Sequence, residues 1–274
     1  MGDGENTTNV YRLKLNLSEV PMFSLFEGEI VVAEGFNDSN SRFNVNRLHK
    51  PDVIPPKELQ DFSVLQKCYE MQSGKAIQMM VASGPFSSRV NLCYDSLQDL
   101  MGTVRRDQPH VLILLGPFID TMNEDVKEGI ISYRDADGQL EYLEYSELFT
   151  KIQEYIMGEI SQNTIKTQLV IVPSAREIEH LCPLPQPAYT SNSFPTTSGV
   201  PRPVLLGNPS TFKINDITVG IVNTDIIKDI CGSILTKQCN ESKIDLSLKS
   251  ILQQRTYYPI YPGNPSTPIE WEQY

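Results

Sequence analysis

An α/β fold preceded by a β-rich region is predicted by three features of this 274-residue sequence. From residue 76 onward, short continuous apolar runs, AIQMMVA, VLILL and QLVIV, alternate with stretches whose apolar residues recur at helical spacing. Such runs read as strands covered on both faces, and their alternation with helices implies a parallel sheet with right-handed crossovers. Before residue 50 the texture differs: RLKLNL, EIVVAEG and RFNVNRL are short, strand-like and separated by polar turns such as FNDSNS.

Each element follows from its residues. RLKLNL alternates Leu13, Leu15 and Leu17 with polar partners, the period of a half-buried strand. Three strands of this kind suit part of a small barrel such as an OB-fold, and are too few to close one. Residues 51–75, beginning PDVIPPKEL, read as a linker carrying a short helix. Leu97, Leu100, Met101 and Val104 fall at i, i+3, i+4 and i+7 and predict an amphipathic helix between the first two apolar strands. Tyr145, Leu148, Ile152, Tyr155, Ile156 and Ile160 mark a longer helix before QLVIV. IISYRDADGQLEYLEY holds Asp-Ala-Asp-Gly between apolar flanks and reads as a hairpin, as do TFKI and ITVGIVN around Asn215-Asp216. Ile244, Leu248, Ile251 and Leu252 give a last helix, stopped by RTYYPIYP. The Pro/Ser/Thr-rich stretch 181–210 is too long for a simple connection.

Composition excludes several classes. A net charge of −11 argues against a sequence-independent nucleic-acid binder, which needs a positive field, although one local basic stripe remains compatible with it. No apolar run approaches the length of a membrane span, so no membrane partner is expected. The start, MGDGENTTNV, has neither the charged nor the apolar region of a signal peptide. Cys68, Cys93, Cys182, Cys231 and Cys239 are scattered and odd in number, which reads as free thiols in an intracellular protein.

In an open α/β sheet, chemistry gathers just beyond the carboxyl ends of the strands. Three such places occur here: Ser83-Gly84-Pro85-Phe86, Gly116-Pro117-Phe118-Ile119-Asp120, and Pro173-Ser174-Ala175-Arg176-Glu177 with His180. Metal-dependent phosphoesterases place Gly-Asp-x-x-Asp after a buried strand, and its first Asp bridges two metals ~3.5–4 Å apart. Pro117 stands at that position. The first turn offers no carboxylate or imidazole, and the third offers Arg176, whose fixed positive charge would repel a metal. Of the three histidines, His49 lies in the β-rich region, His110 before VLILL, and His180 alone near the rim. Asp225, in IVNTD, is the other candidate to join Asp120. There is no G-x-S-x-G elbow, P-loop or G-x-G-x-x-G. Too few ligands converge for a dinuclear site; no cofactor and no enzymatic activity are expected.

VASGPF, PHVLILLGPFID, VIVPSAREIEHLCPLPQPAY and QQRTYYPIYP resemble the B subunits of DNA polymerase alpha, and LNLSEVPMFSLFEGEIVVAEGFN is similar to the end of that family's OB domain. The resemblance runs from about residue 11 to 262. It implies a calcineurin-like phosphoesterase sandwich that is catalytically inactive, with a partial OB-fold region before it. It further implies that Ser83-Gly84 replaces an Asp-x-His turn, Pro117 the bridging Asp, and Ser174–Arg176 an Asn-His pair, with Asp120 the one ligand-type residue retained. Asp120 is expected to cap a helix start or to pair with Arg176.

The family also carries an N-terminal helical module, earlier OB strands and sheet strands beyond YYPIYP that are not found here, so the chain is expected to be short at both ends. The expected domains are residues 1–50 as the partial OB region, 51–75 as linker and 76–274 as the phosphoesterase-like domain without its last strands. The resemblance implies a nuclear regulatory subunit of polymerase alpha–primase. It would bind the C-terminal domain of the catalytic subunit, reach primase through the complex, and meet DNA indirectly during initiation of replication. Two other classes stay open. One is a divergent phosphodiesterase with a single metal at Asp120, His180 and Asp225. The other is an OB-type single-strand binder, disfavoured by net acidity and by the lack of Phe/Tyr/Lys alternation within RLKLNL or RFNVNRL.

Overall fold

The computed structural model describes residues 13–38, 42–55, 62–134, 139–163, 166–190, 194, 199–215 and 217–270. It is a mixed α/β protein with several sheets. In chain order the elements are β1 (Lys14–Asn16), β2 (Phe23–Leu25), β3 (Val32–Asn37), β4 (Arg42–His49), α1 (Phe62–Met71), β5 (Met79–Ser83), α2 (Asp95–Asp107), β6 (Val111–Leu115) and α3 (Glu124–Glu128). There follow β7 (Ser132–Arg134), β8 (Leu140–Tyr142), α4 (Tyr145–Asn163), β9 (Gln168–Val172), β10 (Val204–Leu205), β11 (Ser210–Ile214), β12 (Ile217–Ile221), α5 (Ile226–Ser233), β13 (Leu235–Lys237) and α6 (Lys243–Gln254).

The chain divides into two compact units, one formed by Met1–Pro56 with Asp225–Pro262, the other by Lys57–Thr224 with Gly263–Tyr274. This departs from the expected single domain over 76–274. Residues 225–262 leave that region, and the reason is strand pairing: β13 pairs antiparallel with β2, Thr236 opposite Ser24. The tail after α6 belongs there too. The Tyr261 N–H donates to the Glu27 carbonyl at 3.1 Å, and buried Tyr258 donates to Asp229 Oδ2 on α5 at 2.9 Å.

In the first unit, β1 runs parallel to β4 and β3 antiparallel to it, with an irregularity between Glu34 and Gly35. Val45 on β4 is fully buried. Helix α6 forms where expected but turns an unexpected face inward. Leu246, Ser247 and Ser250 are buried while Ile244, Leu248 and Leu252 stand exposed. The small Ser247 lets α5 approach, its Oγ lying 3.3 Å from Cys231 Sγ.

The second unit is built on a parallel sheet in the order β10-β9-β6-β5, with Val81, Ile113 and Val170 in register. Leu112 and Leu114 of β6 and Leu169 and Ile171 of β9 belong to one core with Leu97, Met101 and Val104 of α2 and Leu148, Ile152 and Ile156 of α4. The alternate residues Val111, Ile113 and Val170 pack with Phe212, Ile214 and Ile221 of the β11–β12 hairpin. Both faces of VLILL are therefore covered, as its unbroken apolar character implies. Each fully buried Leu or Ile here contributes about 1.5–3 kcal/mol. The hairpin around Asn215 forms as expected, Ile214 opposite Ile217, and β7 pairs with β8, its Asp-Ala-Asp-Gly turn lying outside the described residues. No residue of α1, the helix in the expected linker, is buried.

Candidate functional site

The carboxyl ends of β5, β6 and β9 meet at one rim of the second unit. Gly84 N–H donates to the Leu115 carbonyl (2.8 Å) and Gly116 N–H to that of Val172 (2.9 Å), so the parallel ladder continues one residue past each strand. This draws the first two turns together, and Gly84 is needed there. A Cβ on it would lie 2.1 Å from the Pro117 carbonyl oxygen.

Beyond Gly116 the chain turns sharply, and the N–H groups of Phe118 and Ile119 point inward. Glu177 accepts both, at 2.6 and 2.9 Å, and also accepts from the Tyr189 hydroxyl at 3.2 Å. Glu177 is only 2% exposed. Burial raises its carboxyl to about 7; the two backbone N–H donors and Tyr189 oppose that shift, and the neighbouring Asp120 adds to it. Burial and the charge of Glu177 push the hydroxyls of Tyr94 and Tyr189 well above the ordinary tyrosine range. Tyr94 in turn donates to the Phe118 carbonyl at 3.1 Å.

Asp120 and Arg176 form a two-pronged ion pair, Nε to Oδ1 at 3.0 Å and Nη2 to Oδ2. The carboxylate is buried and the guanidinium partly exposed. Asp120 Oδ1 also accepts the Met122 N–H at 3.0 Å, and the Thr121 N–H donates to the Arg176 carbonyl. Asp120→Ala is expected to lower stability by about 1–2 kcal/mol, the solvated guanidinium limiting the loss; a melting curve checks it, and an unchanged midpoint would count against the pair.

The other expected residues are occupied differently. Ser174 Oγ accepts the Arg176 N–H, and the Ser174 carbonyl accepts from Gln186 Nε2 at 3.0 Å. Ser83 lies exposed at the end of β5. His180 sets its ring edge-on to Tyr189, centroids 4.7 Å apart, with Nδ1 3.3 Å from the Leu181 carbonyl. Asp225 is not part of this rim's unit: it is the exposed N-cap residue of α5. The residue of that strand end that reaches the rim is Asn223, whose Nδ2 donates to the carbonyls of Gly116 (2.9 Å) and Pro173 (3.0 Å). Asn208 holds Asn223 in turn, accepting its N–H at 2.8 Å and donating to its carbonyl at 3.1 Å. Among the described residues, no group of three or more His, Cys, Asp or Glu is placed to hold a metal ion.

Asn223, Gln186 and Asn208 were not singled out by the sequence, and Glu177 was named only as a member of the third turn, with no role. Glu177 sits beside Arg176 in a charged string, SAREIEH, which carries no mark of its burial. One signal could have found it: a turn that aims two N–H groups inward requires a buried acceptor.

Residues 79–274 match the family model for the DNA polymerase alpha/epsilon B subunit. The chain belongs to the DNA polymerase alpha/epsilon B-subunit family. Among its relatives, the DNA polymerase alpha B subunit of Mus musculus is 28% identical over 276 residues, covering 100% of this chain and 42% of its own length. The Rattus norvegicus protein is 29% identical over 284 residues, with the same two shares. The Saccharomyces cerevisiae protein is 31% identical over 263 residues, covering 94% of this chain and 36% of its own length. The chain thus spans about two fifths of the length of these relatives. The resemblance read from VASGPF to YYPIYP is shown at the level of the family.

Proposed function

We propose that this chain is a non-catalytic, regulatory scaffold subunit of DNA polymerase alpha–primase. It binds the C-terminal domain of the catalytic subunit, reaches primase through the complex, and supports primer synthesis in the nucleus. Its second unit is read as a calcineurin-like phosphoesterase whose metal ligands are gone, and its first as carrying part of an OB-fold. The observation behind this reading is that the rim's two buried carboxylates already have partners within the fold. Asp120 holds Arg176 and Glu177 holds two backbone N–H groups, and Asn223 ties two strand ends together. A fold and its site are separable, and a rim locked in this way is a rigid platform.

Binding surface is at hand on the first unit. Ile244, Leu248 and Leu252 form an exposed aliphatic stripe at i, i+4 and i+8 on α6. Exposed apolar rows of this kind suit a partner, and a stable contact between subunits buries upward of ~2,000 Å² in total. The chain is expected to co-purify with the C-terminal domain of the polymerase alpha catalytic subunit, and Leu248→Asp to weaken that contact at least tenfold. Separate elution of the two proteins on size exclusion would refute the proposal.

A further inference from the structure

Four segments of the first unit enclose a cavity of about 360 Å³: β2, the end of β4, the turn after β13 and one face of α6. Two cations line it, and both are already paired. Lys50 meets buried Glu29 at 2.6 Å and donates to Ser24 Oγ at 3.1 Å, and Lys249 meets Glu241 at 2.5 Å. The Cys239 thiol donates to the Phe23 carbonyl at 3.1 Å. The groups left over are neutral. Among the described residues, the side chains of Ser250, Asn240 and Gln253 have no hydrogen-bond partner. Ser250 is 1% exposed and, unlike Ser247, which donates back to the Lys243 carbonyl at 2.7 Å, makes no bond to its own helix. Packing asks only that Ser250 be small, so its hydroxyl is unspent. The apolar part of the wall is Phe23, Leu48 and Leu246, joined by Met22, which is 63% exposed.

We infer that this cavity receives a tyrosine side chain carried by a segment of a partner protein. A ring suits walls built from Phe23, Leu48 and Leu246, and the thioether of Met22 favours an aromatic group. A purely apolar occupant would strip water from the Ser250 hydroxyl and the two amides and return nothing. The occupant must therefore bring a group that both donates and accepts, as a phenol does. A charged head finds both cations engaged. A free phenol of about eight non-hydrogen atoms binds only in the millimolar range, so useful occupancy requires a chain that holds the ring in place and covers the surface around it. The inference does not rest on the scaffold reading. Leu246, Ser250 and Gln253 lie on the side of α6 away from the Ile244, Leu248 and Leu252 stripe, so either proposal can fail alone.

The test uses the full chain with p-cresol and N-acetyl-tyrosinamide as probes, and reads protection of Cys239 from iodoacetamide by peptide mass spectrometry. Cys239 lines the cavity, and exposed Cys182, in the other unit, is the internal control. Both probes are expected to slow alkylation of Cys239 with a Kd of about 1–10 mM and to leave Cys182 unchanged. N-acetyl-phenylalaninamide should bind about threefold to tenfold more weakly than N-acetyl-tyrosinamide, and Ser250→Ala should abolish most of that preference. Alanine keeps the small size that packing needs, so an unchanged melting curve shows that the variant folds. The inference is overturned by no protection of Cys239, by equal protection of Cys239 and Cys182, or by a preference for tyrosine that is absent from the natural chain or unchanged in Ser250→Ala. Protection by p-cresol but not by N-acetyl-tyrosinamide would also overturn it, assigning the cavity to a free phenol, as would tighter binding of phenylacetate, which would assign it to an anion.

Discussion

In the Glu177→Ala variant, the unit that carries the parallel sheet is expected to lose about 3–5 kcal/mol of stability. The carboxylate is the acceptor for Phe118 N–H, Ile119 N–H and the Tyr189 hydroxyl. Its removal leaves three buried donors without that partner, each costing about 1–3 kcal/mol. For a unit of this size the melting midpoint should fall by about 10 °C. A fall of only a degree would mean that the turn after β6 does not depend on this side chain.

Glu177 also gives the molecule a pH dependence of definite sign. Its folded value of about 7 lies above the ordinary 4.5. As pH rises, the unfolded chain therefore releases the proton first, while the folded chain keeps it until near neutrality. The stability tied to this group is fully present below about pH 4.5 and is lost as pH rises through about 7, by roughly 3 kcal/mol. Glu177→Gln removes the titration. Plotted against pH, the stability of the natural chain minus that of the variant should decline from pH 4.5 to above 7 and be flat outside that window. A difference that rises over the same interval would show that the hydrogen bonds to the anion outweigh burial.

Gly84→Ala is the second large expectation. The added Cβ would sit 2.1 Å from the Pro117 carbonyl oxygen, 3.0 Å from the Pro117 nitrogen and 3.1 Å from its carbonyl carbon. All three are backbone, so no side chain can rotate away, and the first two turns must separate. Gly84 N–H would then be pulled from the Leu115 carbonyl, where it donates at 2.8 Å. A loss of about 2–4 kcal/mol is expected in thermal or urea unfolding. Alanine at Gly102 or Gly158, where an added Cβ meets nothing within 4 Å, should be neutral or slightly stabilising, since both lie in helices. Equal effects at Gly84 and Gly102 would contradict the packing described.

The parts of this fold that the sequence reveals are those in which neighbouring residues share one environment. VLILL and QLVIV are buried on both faces and read as such. Leu97, Met101 and Val104 mark the inner face of α2 correctly because that helix lies on a large apolar core. Helix α6 misleads for a physical reason: its wall of contact is made with Ser247 and Ser250, whose size matters more than their polarity. The boundary at Asp225 was not legible, because a three-residue strand such as β13 acquires its place only from β2, some two hundred residues earlier. At the rim, pairing with Arg176 was one of the two roles expected for Asp120, and it is the one the structure shows. Asn223 and Glu177 were not, because their roles are set by which backbone groups the folded turns leave unsatisfied.

The most direct test of the rim is a manganese titration followed by electron paramagnetic resonance. With Asp120 engaged by Arg176 and Glu177 by backbone donors, added manganese is expected to keep the signal of the free ion, and Asp120→Ala to give the same curve. Two ions bound per chain in the micromolar range, lost in Asp120→Ala, would contradict it.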